Sequence, residues 1–223
     1  MTAADHDYPV LWLLRHGETE WSRSGRYTGL TDLELTAAGL RQATEAGSKL
    51  AGIGFDTVLT SPLKRARRTA ELAGFPDAEV VPFAHEWDYG EYEGISSAAL
   101  REKDPSYLIW THGVAGGETL GQVGDRADRV IARVLAGSAG ASPAPASAPP
   151  AVQTERTEPV GSVPATPGQR RVLLVAHGHF LRILTARWLQ LDPIEGRHFV
   201  LGTAGICTLG WDKRTPAVIG WNV

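Results

Sequence analysis

Residues 10–19 read Val10-Leu11-Trp12-Leu13-Leu14-Arg15-His16-Gly17-Glu18-Thr19. A short apolar run ends abruptly in Arg-His-Gly. The run is too short for a helix and predicts a buried strand, Val10–Leu14, with the polar residues at its carboxyl end. Gly17 lets the backbone turn sharply there and bring amides close to a ligand. The pattern returns at Val172–Ala176, which is followed by His177-Gly178-His179. Two buried strands that both end in His-Gly look like two pieces of one site.

Between and around them, strand and helix signals alternate. Thr36 is a candidate N-cap for a helix to about Leu50, with Leu40, Ala43 and Leu50 on its apolar face. Asp56–Leu59 predicts a strand ending in Thr60-Ser61-Pro62, and Pro62 suits the first turn of a helix to about Ala73. Glu79–Val81 is a further strand. Glu118–Leu135 is an amphipathic helix with Leu120, Val123, Ala127, Val130, Ile131 and Val134 on one face. A helix over Phe180–Gln190 and closing strands at Ile206–Trp211 and Ala217–Trp221 complete the reading. This alternation predicts an α/β fold in three layers, a mainly parallel sheet flanked by helices. Ligands in such sheets sit beyond the carboxyl ends of the strands, and those ends carry His16, Ser61 and His177.

Composition narrows the function. The chain has 223 residues, enough for one substantial domain, and 43% hydrophobic residues, an ordinary globular content. Lys plus Arg number 22 against 25 acidic residues, so the basic excess of a nucleic-acid binder is missing. The single cysteine, Cys207, fits a reducing compartment and excludes a CxxC zinc or redox site. Neither a secretory leader nor a membrane-length apolar run is evident, and a cytoplasmic location is expected. Residues 137–169 hold half of the chain's 14 prolines and almost no large apolar side chains. They read as a flexible Pro/Ala/Ser-rich insertion within a single domain spanning 1–223, because histidine motifs lie on both sides of them.

Four segments carry chemistry. Arg15 offers phosphate a rigid fork of donors beside His16. Ser61-Pro62-Leu63-Lys64-Arg65-Ala66-Arg67-Arg68 puts four cations in the first turns of a helix, where the dipole disfavours them; one or more would then face an anion. His177-Gly178-His179 repeats the strand-end histidine; a metal would need further ligands, and none is obvious. His85-Glu86-Trp87-Asp88-Tyr89-Gly90-Glu91-Tyr92-Glu93-Gly94 mixes acids, aromatics and glycine, which suits a pocket loop with a carboxylate for proton transfer. Any one of these alone is weak: a lone strand-end histidine more often caps a carbonyl.

Together and in this order they resemble the histidine phosphatase superfamily, the phosphoglycerate mutase-like proteins. The resemblance rests on Leu14–Thr19, Tyr27-Thr28-Gly29 with Asp32 and Leu35-Thr36, Ser61–Ala66, Glu86, and His177-Gly178. It implies a phosphoglycerate mutase-like sheet with a small helical cap built from Ile95–Leu135. It also implies that His16 is the nucleophile that becomes phosphorylated, that Arg15, Arg65 and His177 complete the phosphate pocket, and that Glu86 is the proton donor. Ser22, Thr28, Gly29, Tyr89 and the amide of His179 would bind substrate. No metal and no other cofactor is implied. Neutral imidazole can attack phosphorus in line, arginines neutralise the equatorial oxygens, and one carboxylate can protonate the leaving group and then activate water. Glu86 must start protonated, and an acidic optimum would follow naturally.

Departures from the mutase pattern suggest a subclass. Trp87-Asp88 follow Glu86, and the later segment reads Trp110-Thr111-His112-Gly113-Val114-Ala115-Gly116-Gly117-Glu118-Thr119, without a pair of arginines. This is similar to sedoheptulose-bisphosphatase-like and acid-phosphatase-like members. Fewer cations would leave water as the phosphoryl acceptor, so the expectation is a phosphatase of small phosphorylated metabolites, sugar phosphates or bisphosphates; a phosphoglycerate mutase and a non-catalytic binding protein are the alternatives. Tyr107, Trp110 and His112 are candidates for lining the cap. Nucleic-acid and membrane partners are not expected. Seven tryptophans would suit a homodimer interface.

Overall fold

The computed structural model describes residues 8–137 and 169–223. In chain order the elements are β1 (Val10–Arg15), α1 (Glu20–Arg23), α2 (Ala37–Leu50), β2 (Thr57–Thr60), α3 (Lys64–Leu72), β3 (Glu79–Val80), α4 (Ser97–Lys103), α5 (Ile109–His112), α6 (Leu120–Ala136), β4 (Arg171–Ala176), α7 (Gly178–Trp188), β5 (Ile206–Asp212) and β6 (Thr215–Gly220). The strands form one sheet in the order β3-β2-β4-β1-β5-β6. The first four are parallel; β5 runs antiparallel to β1, and β6 antiparallel to β5.

Period-two alternation makes this sheet the middle of three layers. Val172, Leu174 and Ala176 of β4 join Leu11 and Leu13 of β1 under α6 and α7. Leu173 and Val175 join Leu14 on the other face, under Ala46 and Leu50 of α2 and Ala66 and Ala70 of α3. The register decides the rest. Arg15 lies opposite Ala176, so His16 and His177 leave adjacent parallel strands at one level. Thr60 lies opposite Val175, which brings Ser61 to the same edge.

Some boundaries differ from the sequence reading. Thr36 caps α2 through the amide of Gly39, but Leu40 is 37% exposed. The inner face of α2 is instead Gly39, Ala43, Ala46 and Leu50. Small residues are needed there, because a Cβ on Gly47 would stand 2.8 Å from the Cα of Ala73. Helix α3 starts at Lys64, after Pro62, and its first amide is capped from afar by Asp32 Oδ1 at 2.8 Å. Helix α6 starts after Thr119, which forms a capping box with Gln122. Glu118 is thus freed from the helix for another use. The proposed insertion, 137–169, falls almost wholly outside the described residues. Five of the seven tryptophans have a place within the chain: Trp87, Trp110 and Trp188 are buried, and Trp211 and Trp221 donate to the carbonyls of Pro9 and Val200. Among the described residues, no helix is long and apolar enough to cross a membrane.

Candidate active site

Beyond the ends of β1 and β4 opens a cavity of about 360 Å³. Arg15, His16, Glu86, Gly178 and His179 line it from the sheet side. The cap, Ser97 in α4 together with Leu108, Ile109 and Trp110, lines it from the other.

His16 is 4% exposed, and its Nδ1 lies 2.7 Å from the carbonyl of Gly17. A carbonyl only accepts, so Nδ1 carries the proton and Nε2 keeps its lone pair. Burial first, then the charges of Arg65 and Arg15, hold this imidazole well below the ordinary histidine value. Gly17 contributes through a close approach that its lack of a side chain permits. Its amide donates to Thr69 Oγ1 at 3.1 Å, and a Cβ there would meet the Gly39 carbonyl at 2.4 Å. The expectation that it presents amides to a ligand is therefore corrected.

Arg15 is anchored by Nη1 on the carbonyl of Leu201 at 2.5 Å, and its buried Nε has no hydrogen-bond partner. Gly178 leaves the space beside it, since a Cβ would come within 3.2 Å of that nitrogen. An unpaired buried donor is costly unless a ligand oxygen completes it.

Arg65 and His177 are fully buried and stand outside the cavity lining. Arg65 Nε donates to His177 Nδ1 at 3.2 Å; its other nitrogens hold the carbonyls of Thr28, Gly29 and Thr31 at 2.8–3.1 Å. His177 Nε2 meets Ser61 Oγ at 2.6 Å, and its ring centre lies 5.1 Å from that of His16. The cation at the start of α3 is thus directed at carbonyls and a histidine, and its charge reaches the site through His16. Lys64 pairs with Glu34 and Arg68 with Glu71 at the surface.

Glu86, 5% exposed, sits at the N-terminus of α7. Its Oε1 accepts the amides of Trp87 and Phe180 at 2.9 and 2.8 Å, and Oε2 accepts that of His179 at 3.0 Å. The His179 amide, expected to touch substrate, is committed here. The His179 ring does line the cavity: its Nδ1 shares a hydrogen bond with the Tyr89 hydroxyl at 2.6 Å, and Trp110 packs edge-on with ring centres 5.1 Å apart. Burial, with Arg182 and Arg15 nearby, keeps His179 well below the usual histidine value; burial raises Tyr89 well above the usual phenol.

The main chain of Glu86 is clamped. Arg126, 8% exposed, donates to the carbonyls of Phe83, His85 and Glu86 at 2.9–3.3 Å. It also forms a bidentate pair with Glu118, both bonds 2.7 Å. Glu118 in turn accepts the amide of Asp88 at 3.1 Å, and its carbonyl takes the Trp87 indole at 2.8 Å. The Gly-Gly-Glu-Thr feature works as part of this frame.

The remaining candidates divide. Ser22 and Thr28 line the cavity, though Ser22 Oγ is already engaged with both Thr19 backbone groups. Gly29 is buried away from it; a Cβ there would fall 2.2 Å from Glu93 Oε1. Trp110 joins the wall, whereas Tyr107 binds the Gly113 carbonyl and His112 folds back on Leu108 and Thr111. His177 and His179 face different partners, and among the described residues no group of three or more His, Cys, Asp or Glu could hold a metal. Arg26, Arg101 and Arg182 also line the cavity and were not singled out from sequence. Arg182 was discoverable: it lies one helical turn beyond His179. Its guanidinium stands 4.8 Å over the Trp110 ring. The argument from scarce cations fails accordingly, since four arginines and one carboxylate surround this space.

Comparison with known proteins agrees with this geometry. A model of the histidine phosphatase superfamily (branch 1) matches residues 11–144 and 143–223. The chain is 42% identical over 214 residues to an acid phosphatase of Mycobacterium tuberculosis, covering 94% of this chain and 91% of that one. It is 32% identical over 207 residues to the sedoheptulose 1,7-bisphosphatase of Saccharomyces cerevisiae, covering 82% and 68%. Phosphoglycerate mutases are also among its relatives, at 33% and 30% identity. A solved structure of an open reading frame from Mycobacterium tuberculosis superposes with a TM-score of 0.78 at 38% identity, covering 96% of this chain and 98% of that one. The chain belongs to the histidine phosphatase superfamily, branch 1.

Proposed function

We propose that the protein hydrolyses phosphomonoesters of small metabolites through a phosphohistidine at His16. The observation that carries this reading is the pairing of a neutral His16, its Nδ1 committed to the Gly17 carbonyl, with the unpartnered buried Nε of Arg15 in the wall of one cavity. Nε2 attacks phosphorus as the ester P–O bond breaks. Arg15 takes an equatorial oxygen, while Arg65 and His177 act from behind, holding His16 neutral and the 28–31 loop in place. Glu86 gives its proton to the departing oxygen from Oε2, which carries one amide where Oε1 carries two. Water then attacks the phosphohistidine and returns a proton to Glu86, and inorganic phosphate leaves. All the charge needed at phosphorus comes from side chains, so activity should not depend on a divalent cation.

Two further points belong to this reading. The chain forms one domain interrupted at 137–169; β4, which follows that stretch, lies between β1 and β2, which precede it. A cytoplasmic location fits the single buried cysteine.

A mutase reading is favoured by one observation, the extra arginines at the cavity mouth. A panel of phosphorylated metabolites, scored for phosphate release and for interconversion of 2- and 3-phosphoglycerate, separates the two. Phosphate release should dominate; efficient interconversion with little release would reverse the assignment.

A further inference from the structure

Tyr27 and Thr28 stand in the cavity wall, and the residues that follow them are gripped from two sides. Arg65 Nη2 donates to the carbonyls of Thr28 and Gly29 at 3.1 and 2.8 Å. Glu93 Oε1 accepts the amides of Gly29 and Leu30 at 2.6 and 2.9 Å. The Thr28 carbonyl and the Gly29 amide belong to one peptide group; the Gly29 carbonyl and the Leu30 amide belong to the next. Each of these two successive peptide groups is therefore bound at its oxygen by a guanidinium and at its nitrogen by a carboxylate. Across a planar trans peptide the C=O and N–H point in opposite directions, so the two side chains hold the loop from opposite sides. A further bond from Arg65 Nη1 to the Thr31 carbonyl, at 2.9 Å, extends the clamp.

Glu93 does not line the cavity, so any effect it has on substrate passes through this loop. Its own main chain is tied to the wall. The Gly94 amide donates to the Tyr27 carbonyl at 2.9 Å, and the Tyr27 amide to the Ile95 carbonyl at 3.0 Å. The loop packs directly on the segment between β3 and α4 that carries both Glu86 and Glu93. A Cβ on Gly29 would stand 2.2 Å from Glu93 Oε1 and 2.4 Å from the Trp87 carbonyl. Among the described residues, the buried Oε2 of Glu93 has no hydrogen-bond partner. An unpaired buried oxygen is a cost, so what this side chain contributes lies in the two bonds made by Oε1.

We infer that Glu93 is a positioning residue for the phosphatase site: with Arg65 it clamps the peptide groups on either side of Gly29, and so fixes both the wall at Thr28 and the guanidinium that holds His177. This rests on the phosphatase reading. Without the carboxylate two amides lose their acceptor and the loop shifts to find another. Arg65 then keeps its carbonyls only by moving with them.

The test replaces Glu93 in three ways. It follows kcat and KM with p-nitrophenyl phosphate, hydrogen exchange at the Gly29 and Leu30 amides by NMR, and melting. Glu93→Gln keeps an acceptor oxygen in place and should keep the protection of both amides and most of kcat/KM. Glu93→Asp keeps the charge but sets the carboxylate back by one methylene, and it should fall below Glu93→Gln. In Glu93→Ala the two amides should exchange at least about tenfold faster. Its kcat/KM should fall by roughly 10–100-fold with KM raised. Loss of folded enzyme alone would lower kcat and leave KM unchanged. Combined with Arg65→Gln, Glu93→Ala should add little further loss, because both act through one loop. Wild-type kcat and KM in Glu93→Ala, unchanged exchange at the two amides, or fully additive losses would overturn the inference. Should Glu93→Ala not fold, the other two variants decide, and Glu93→Asp equal to or better than Glu93→Gln would overturn it. A wild type that releases no phosphate from any ester overturns the phosphatase reading and this inference with it; an active wild type with an unimpaired Glu93→Ala overturns the inference alone.

Discussion

The closed end of the cavity and its mouth are built in opposite ways. At the closed end nearly every polar atom is committed before a ligand arrives: Glu86 to three amides, Arg65 to three carbonyls and His177, Arg126 to Glu118 and the backbone around Glu86. At the mouth, Arg26 and Arg101 are exposed and stand free of ion pairs among the described residues. Chemistry at phosphorus needs groups held within fractions of an ångström, and a rigid frame supplies that. Recognition of the rest of the substrate tolerates mobile side chains. Substitutions at the closed end should therefore alter turnover, and substitutions at the mouth should alter selectivity.

The largest effect expected is at His16. Removal of a nucleophile abolishes the covalent route, and His16→Ala should lose about 10⁴-fold or more in kcat with the fold intact. Steady-state assay with circular dichroism checks it. Next comes Glu86→Gln, which should slow hydrolysis of alkyl phosphates by roughly 10²–10⁴-fold. The loss should be smaller with p-nitrophenyl phosphate, whose leaving group departs without a proton. An equal, slight loss for all leaving groups would move the proton donor elsewhere, and with it the contrast between the two ends.

The Glu118–Arg126 pair tests whether the frame matters. The two side chains are only 17% and 10% exposed, so the loss of one partner leaves an unpaired buried charge. Arg126→Ala should cost about 3–5 kcal/mol, a fall of roughly 6–20 °C in melting temperature. Glu118→Gln, which keeps shape and some hydrogen bonding, should fold and show lower kcat with little change in KM.

Smaller effects concern pH. Burial and two arginines keep His16 neutral below 6.5, where a free imidazole would take up a proton. In Arg65→Gln one of those cations is gone, His16 binds its proton at higher pH, and the acid limb of kcat/KM should move upward; in Arg65→Lys it should stay. Stability follows the same sign. The unfolded chain protonates His16, His177 and His179 as pH falls through about 6.5, while the folded chain resists. Melting temperature should therefore drop on acidification below that pH. The smallest effect expected is that of a chelator: EDTA should leave activity unchanged, and loss restored by added metal would point back to His177-Gly178-His179.

What the sequence made legible follows the same division. His16 and His177 sit at the ends of apolar strands, where periodicity and a glycine mark them, and one register places them together. The sheet was readable for the same reason, since its buried strands are continuous apolar runs. The uses of Gly17, Gly29 and Ser22 were missed. Those of the two glycines depend on close approaches to Gly39 and Glu93, and such contacts leave no local pattern; Ser22 closes a capping box with Thr19, a local pattern that the reading passed over. Arg126 and Glu118 lie eight residues apart, across a helix start that sequence put two residues early, so their pairing was hidden. The mouth arginines escaped because Arg26 and Arg101, distant in sequence, reach one cavity through the bridge between residues 26 and 96, just before α4. A pair set by tertiary pairing alone has no spacing to detect.

The central claim is that His16 carries the phosphoryl group between the substrate and water. Rapid mixing with ³²P-labelled substrate, a denaturing quench and peptide mapping measure this directly. The account predicts a label that is labile in acid, stable in base, confined to the peptide containing His16 and absent in His16→Ala. A wild-type enzyme that turns over with no trapped label under single-turnover conditions, or with label on another residue, would contradict it.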